Sequence, residues 1–93
     1  MLVSTNPYNG EILKEYPLHS PEQLNSILIN AQSTFNTFKN TSFEERAKLF
    51  ERCAANLRIQ KLDLAKMITA EMGKPIQEAI AEIEKCAQVC EYY

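Results

Sequence analysis

TAEMGKP, residues 69–75, holds the decision between one long helix and two shorter ones. An apolar stripe of Leu64, Ala65, Ile68 and Met72 recurs at helical spacing and runs into Gly73. Glycine takes the left-handed conformation that ends a helix without a Cβ penalty. Pro75 has a preset φ and no N–H to donate, which suits the first turn of a following helix. The stretch therefore reads as a stop, a change of direction and a restart. Beyond it Ile76, Ala79, Ile80, Ile83, Ala87 and Cys90 mark one face of a last helix. No Gly, Asn or Pro closes that helix before Tyr93, so the pattern reads as truncated at its C-terminal end.

Working back from the junction, two more helix starts are written plainly. Ser20-Pro21-Glu22-Gln23 and Ser42-Phe43-Glu44-Glu45 both have the form of a capping box. The first opens a stripe of Leu24, Ile27, Leu28, Ala31, Phe35 and Phe38; Lys39-Asn40-Thr41 breaks it. The second opens a stripe of Ala47, Phe50, Cys53, Ala54 and Leu57, weakly bounded near Gln60-Lys61. The first 18 residues have another character. Leu2 to Thr5 and Glu11 to Tyr16 read as strands around Asn9-Gly10, a strong hairpin signal because both residues tolerate positive φ. Ile12, Lys14 and Tyr16 would share one face. A lone two-stranded hairpin is barely stable in water, so it must pack on something. The expected organisation is mainly α with an N-terminal β-hairpin: 1–19 hairpin and loop, 20–93 a four-helix segment.

Composition narrows the partners rather than naming them. The 93 residues carry a net charge of −2 with acids and bases intermixed, which argues against nucleic acid and against an anionic membrane surface. No apolar run approaches the roughly 18 residues of a membrane span, and the N-terminus lacks the form of a secretory signal. Three cysteines are an odd number, and Cys86 and Cys90 lie side by side on one helix, a poor arrangement for a disulfide. Reduced, buried thiols in a cytoplasmic protein are the expectation.

Few residues suggest chemistry on their own. Cys86 and Cys90 could supply two metal ligands, but a structural zinc site needs four, and the only histidine, His19, lies in a distant loop. Core packing is the better reading of both thiols. Acids at Glu82, Glu84 and Glu91 disfavour a thiolate there. Glu71, Glu78, Glu82 and Glu84 read as a solvated helix face, and no glycine-rich phosphate loop occurs.

A resemblance adds what the pattern lacks. N-P-x-x-G-E from Asn6 to Glu11, the aromatic pair Phe35 and Phe38, and E-E-R-A-x-L from Glu44 to Leu49 occur in order. M-I-T-x-E-M-G-K-P from Met67 to Pro75 and A-E-I-x-K-x-A-x-x-C-E-Y-Y from Ala81 to Tyr93 follow. Together they resemble the N-terminal segment of the aldehyde dehydrogenase superfamily, most closely the succinate-semialdehyde dehydrogenases. Phe38 stands where many members have Trp.

The resemblance implies part of an α/β cofactor domain, here the piece that covers it. In full-length members it implies oxidation of an aldehyde to its acid with NAD or NADP, through a cysteine nucleophile and a glutamate that lie downstream. No catalytic or cofactor-binding residue carries over, and Cys53, Cys86 and Cys90 do not match the nucleophile. No dinucleotide is expected on this chain alone, which would be inactive. Thr5 and Glu71 match positions that in some members help hold a monovalent cation. The implied partners are the remainder of a dehydrogenase chain and further copies in a homo-oligomer. A self-contained helical interaction or oligomerisation module without catalysis is the alternative.

Overall fold

The computed structural model describes all 93 residues, Met1 to Tyr93. Strands β1 (Leu2–Thr5) and β2 (Ile12–Tyr16) form an antiparallel hairpin, followed by helices α1 (Pro21–Phe38), α2 (Phe43–Ile59), α3 (Lys61–Met72) and α4 (Ile76–Tyr92). The mainly helical architecture with one hairpin is the one the sequence predicts.

Both capping boxes form. The Ser20 hydroxyl accepts from the Gln23 N–H while the Gln23 side chain accepts from the Ser20 N–H, and Ser42 and Glu45 repeat the exchange. Gly73 ends α3 at φ 72°, in the left-handed region. Pro75 differs slightly from expectation: it sits at the N-cap, and Ile76 begins α4. A side chain at Gly73 would also meet the Pro7 ring, 3.2 Å from the added carbon. The stop signal is therefore the place where the hairpin loop rests on the helices.

The hairpin corrects the sequence reading at its turn. Its pairing runs from Leu2 opposite Tyr16 to Thr5 opposite Ile12, with an irregularity between Ser4 and Thr5. The turn is not a two-residue Asn-Gly type, because Gly10 and Gly73 alone have positive φ. The loop instead closes around Asn6, whose N–H donates to the Glu11 carbonyl and whose carbonyl accepts from the Gly10 N–H, both at 2.8 Å. The Asn6 side chain accepts from the Tyr8 N–H as well. Proline at position 7 fixes this wider turn, and Glu11 is spent on loop closure. Lys14 lies over the Tyr16 ring, which puts those two on one face as expected.

The helices pack unequally. α4 lies against α2 and α3, and the buried residues are Ala54, Ala65, Ala79, Ile83 and Ala87. Four alanines let the backbones approach closely, but they make a thin core. α1 buries nothing: Leu24, Ile27, Leu28, Phe35 and Phe38 are 44 to 60% exposed. It is held only at its C-terminal turn. There the Arg46 guanidinium donates to the Lys39 carbonyl and the Thr41 hydroxyl, and it stacks over Phe38 and Phe43.

The result is a slab of 47 × 37 × 15 Å, little thicker than one helix. Its radius of gyration is 17.3 Å; a compact chain of this length has about 12 Å. It exposes 7677 Å², where a compact monomer of its mass exposes about 5,500 Å².

Candidate functional site

The hairpin loop and the α3–α4 junction enclose an open groove of about 440 Å³. Asn6 and Tyr8 form one wall; Lys66, Thr69, Gly73 and Ile76 contribute to the other. The groove exists because Gly73 turns the chain and lets Pro7 approach. The Thr69 hydroxyl, on the groove side of α3, is buried without a hydrogen-bond partner. Lys74 is committed elsewhere: its ammonium lies 2.7 Å from Glu82, and that carboxylate raises its pKa.

Of the two positions expected for a cation, Glu71 lies in the last turn of α3 and accepts from the Ser4 hydroxyl at 2.9 Å. Thr5 is the next residue along β1 and is exposed. The structure thus brings Glu71 to the strand, one residue from the predicted partner. No group of three or more His, Cys, Asp or Glu side chains is placed to hold a metal ion. His19 stays on the loop ahead of α1, exposed, in a shallow hollow with Glu22, Gln23 and Ser26.

The thiols differ from expectation. Cys53 and Cys86 are exposed and Cys90 is half-buried, so none belongs to the core. Cys90 and Cys53 meet across α4 and α2 with their sulfurs 3.9 Å apart. The Cys90 pKa is raised, as expected, but the first cause is burial, then the Cys53 contact; neighbouring acids come last.

The glutamates are not simply a solvated face. Arg58 on α2 grips both Glu91 carboxylate oxygens, at 2.7 and 2.8 Å, and donates to Glu84 at 3.1 Å. Lys61 reaches Glu84 as well. These acids knit α4 to α2 and α3. Sequence reasoning missed Arg58, since nothing in its local pattern says which helix it faces.

The Arg58 guanidinium holds the Glu91 carboxyl below its usual range and has its own pKa raised in return. A carboxyl whose folded pKa is depressed stabilises above the ordinary carboxylate range and stops doing so as pH falls through the lowered value. Arg58→Met is therefore expected to lower Tm at pH 7, less so in 1 M salt, and hardly at all near pH 2. Thermal melts followed by circular dichroism check this; an equal deficit at every pH removes the ion pair as the cause.

The starts of α1 and α2 are occupied by their own capping boxes, and the start of α4 follows a proline rather than a glycine-rich turn.

Comparisons with known proteins supply the larger frame. Residues 2–93 match the aldehyde dehydrogenase family. A probable NADP-dependent succinate-semialdehyde dehydrogenase of Synechocystis is 36% identical over 92 residues, and the succinate semialdehyde dehydrogenase Sad of Escherichia coli is 35% identical over 91. These cover 99% and 98% of this chain. The crystal structure of glyceraldehyde-3-phosphate dehydrogenase GapN from Methanocaldococcus jannaschii, complexed with NADP, superposes with a TM-score of 0.89 at 26% identity. That match covers 99% of this chain and 20% of the other. The chain spans about a fifth of the length of the relatives it matches.

Proposed function

The chain belongs to the aldehyde dehydrogenase family, and from that premise we propose that it is the N-terminal covering segment of an NAD(P)-dependent succinate-semialdehyde dehydrogenase. It contributes scaffold rather than catalytic groups. The single observation that carries this is the exposed surface. The excess over a compact monomer is on the order of 2,000 Å², more than the roughly 800 Å² one partner gives to a standard interface. Much of it is apolar, including the whole stripe of α1. A face of that size on a family segment calls for the polypeptide that follows it in its relatives.

The choice of succinate semialdehyde rests on the names of the two relatives quoted. The structural neighbour is named for another aldehyde, so a segment of this shape serves enzymes of different substrate; specificity would be set by residues outside it. The dinucleotide and the catalytic cysteine and glutamate would likewise belong to the rest of the enzyme. Within this reading the completed chain works as a homo-oligomer. Thr5, through its carbonyl, and Glu71 would offer two oxygens to a monovalent cation. Several more are needed, and the cation would compete with the Ser4 hydroxyl for Glu71.

A chimera tests the whole reading. Residues 1–93 replace the matching fifth of the Synechocystis relative. The chimera is expected to be soluble, oligomeric and active on succinate semialdehyde, within about tenfold of the parent, a loss of no more than about 1.4 kcal/mol. The 93-residue chain alone is expected to show no turnover. An inactive or insoluble chimera, or turnover by the isolated chain, overturns the proposal. In the same chimera, exchanging potassium for tetramethylammonium at equal ionic strength should lower Tm, and Glu71→Gln should abolish that dependence. An identical response in both forms removes the cation site.

The exposed face would also suit a self-associating module. Sedimentation of the isolated chain separates the two: a defined oligomer that persists on dilution favours the module, whereas open-ended association favours an unfinished enzyme surface.

A further inference from the structure

Independently of the enzyme reading, we infer that Cys53 and Cys90 form a peroxide-responsive dithiol whose oxidation to a disulfide fastens α2 to α4. Three observations converge. The two sulfurs lie 3.9 Å apart on different helices, already in contact through the Cys90 thiol proton. A disulfide needs about 2.05 Å, so the two sulfurs have only about 1.9 Å to close. Cys53 is exposed and Cys90 half-buried, so one thiol meets solvent while the other waits behind it. The pair also sits where α2 and α4 make the main helix contact of the molecule, beside Ala54 and Ala87.

Exposure assigns the order of events. The Cys53 thiolate attacks a peroxide oxygen; the O–O bond breaks, hydroxide leaves, and Cys53 carries a sulfenic acid. The Cys90 sulfur then attacks the Cys53 sulfur. The S–S bond forms, the S–O bond breaks, and the hydroxyl leaves as water with the Cys90 proton. Two thiols and one hydrogen peroxide thus give one disulfide and two waters. Burial keeps Cys90 protonated until then, which suits the resolving partner rather than the first target. Cys86 shares α4 with Cys90 but is turned to solvent, so it is the natural competitor.

The test treats the 93-residue chain with hydrogen peroxide in native buffer, blocks remaining thiols with N-ethylmaleimide, and digests with trypsin without reduction. Cleavage after Arg52, Arg58 and Lys85 puts Cys53 on one peptide and both Cys86 and Cys90 on another. The variants Cys86→Ser and Cys90→Ser tell the partners apart. Cys86→Ser is expected to keep the cross-link and Cys90→Ser to lose it by at least about tenfold, since only a preorganised pair gains the advantage of proximity. In guanidinium the two variants should cross-link alike. Oxidation should raise Tm, and dithiothreitol should restore the original value. Equal cross-linking of both variants in native buffer, or survival of the link in Cys90→Ser, overturns the inference. Because the readout is a cross-link rather than turnover, its failure leaves the enzyme assignment untouched, and the reverse also holds.

Discussion

Hydrogen–deuterium exchange on the 93-residue chain will split it in two: α1 amides will exchange within about tenfold of unfolded rates, and those of α2 to α4 at least about a hundredfold more slowly. The split follows from what each helix touches. α4 packs on α2 and α3, and opening its hydrogen bonds means exposing Ile83 and four alanines. α1 packs on nothing along its length. An isolated helix of its 18 residues is marginal in water, because nucleation is costly and only propagation repays it. Its composition makes matters worse. Asn25, Ser26, Asn30, Ser33, Thr34, Asn36 and Thr37 compete for backbone groups, and Ile27 and Ile29 lose rotamer freedom. The Ser20 capping box contributes about 1 kcal/mol, and the Arg46 clasp steadies only the last turn. Within the chimera, α1 should become protected, because its stripe then has something to lie against. Uniform protection across all four helices of the isolated chain would mean α1 does not need an absent neighbour, and the argument from exposed surface would lose its strongest part.

That contrast also marks what the sequence could and could not convey. Local rules were enough wherever a residue acts on its own backbone. Ser20 and Ser42 cap their own helices, Gly73 turns its own chain, and the stripe from Ile76 to Cys90 names its own face. Local rules failed wherever the answer lay across the fold. Asn9-Gly10 carries the two-residue turn signature, yet Asn6 and Pro7 built a wider loop that seats against Gly73. Glu84 looks solvated by spacing alone; Arg58, 26 residues earlier, decides otherwise. The cysteines fall on apolar stripes, but a stripe reports which face seeks burial, not whether a neighbour arrives. Cys53 stays exposed although its sulfur lies 3.9 Å from that of Cys90. The candidate cation pair, Thr5 and Glu71, came from the resemblance alone; which hydroxyl of β1 meets Glu71, that of Ser4, depends on how the strand is seated. Register is set by pairing, and a single-residue shift is invisible in a list of residues.

Ala87→Leu should abolish cooperative unfolding of the helical unit, while Ala81→Leu on the same helix should leave it within about 0.5 kcal/mol of the parent. The chemical change is the same, and helix propensity differs little between Ala and Leu. The surroundings differ. Ala87 is fully buried and Ala81 exposed. Ala79, Ile83 and Ala87 form one row along α4, four residues apart, and Ala54 of α2 and Ala65 of α3 are the other buried groups. A leucine at 87 puts three further carbons where the helices approach most closely, and such overpacking costs typically 1–3 kcal/mol. In a domain with a deep core, that loss is absorbed. A chain of this length has about 5–14 kcal/mol at the usual per-residue stability, and this one, with five buried residues in 93, stands at or below the lower end. Forcing α4 outward would also separate Arg58 from Glu84 and Glu91 and part Cys90 from Cys53, so the loss spreads along the contact. Urea titration followed by circular dichroism at 222 nm reads it directly: a sigmoid for the parent and Ala81→Leu, a featureless slope for Ala87→Leu. If Ala87→Leu unfolds at the same midpoint as Ala81→Leu, the alanine row is not what holds the helices together.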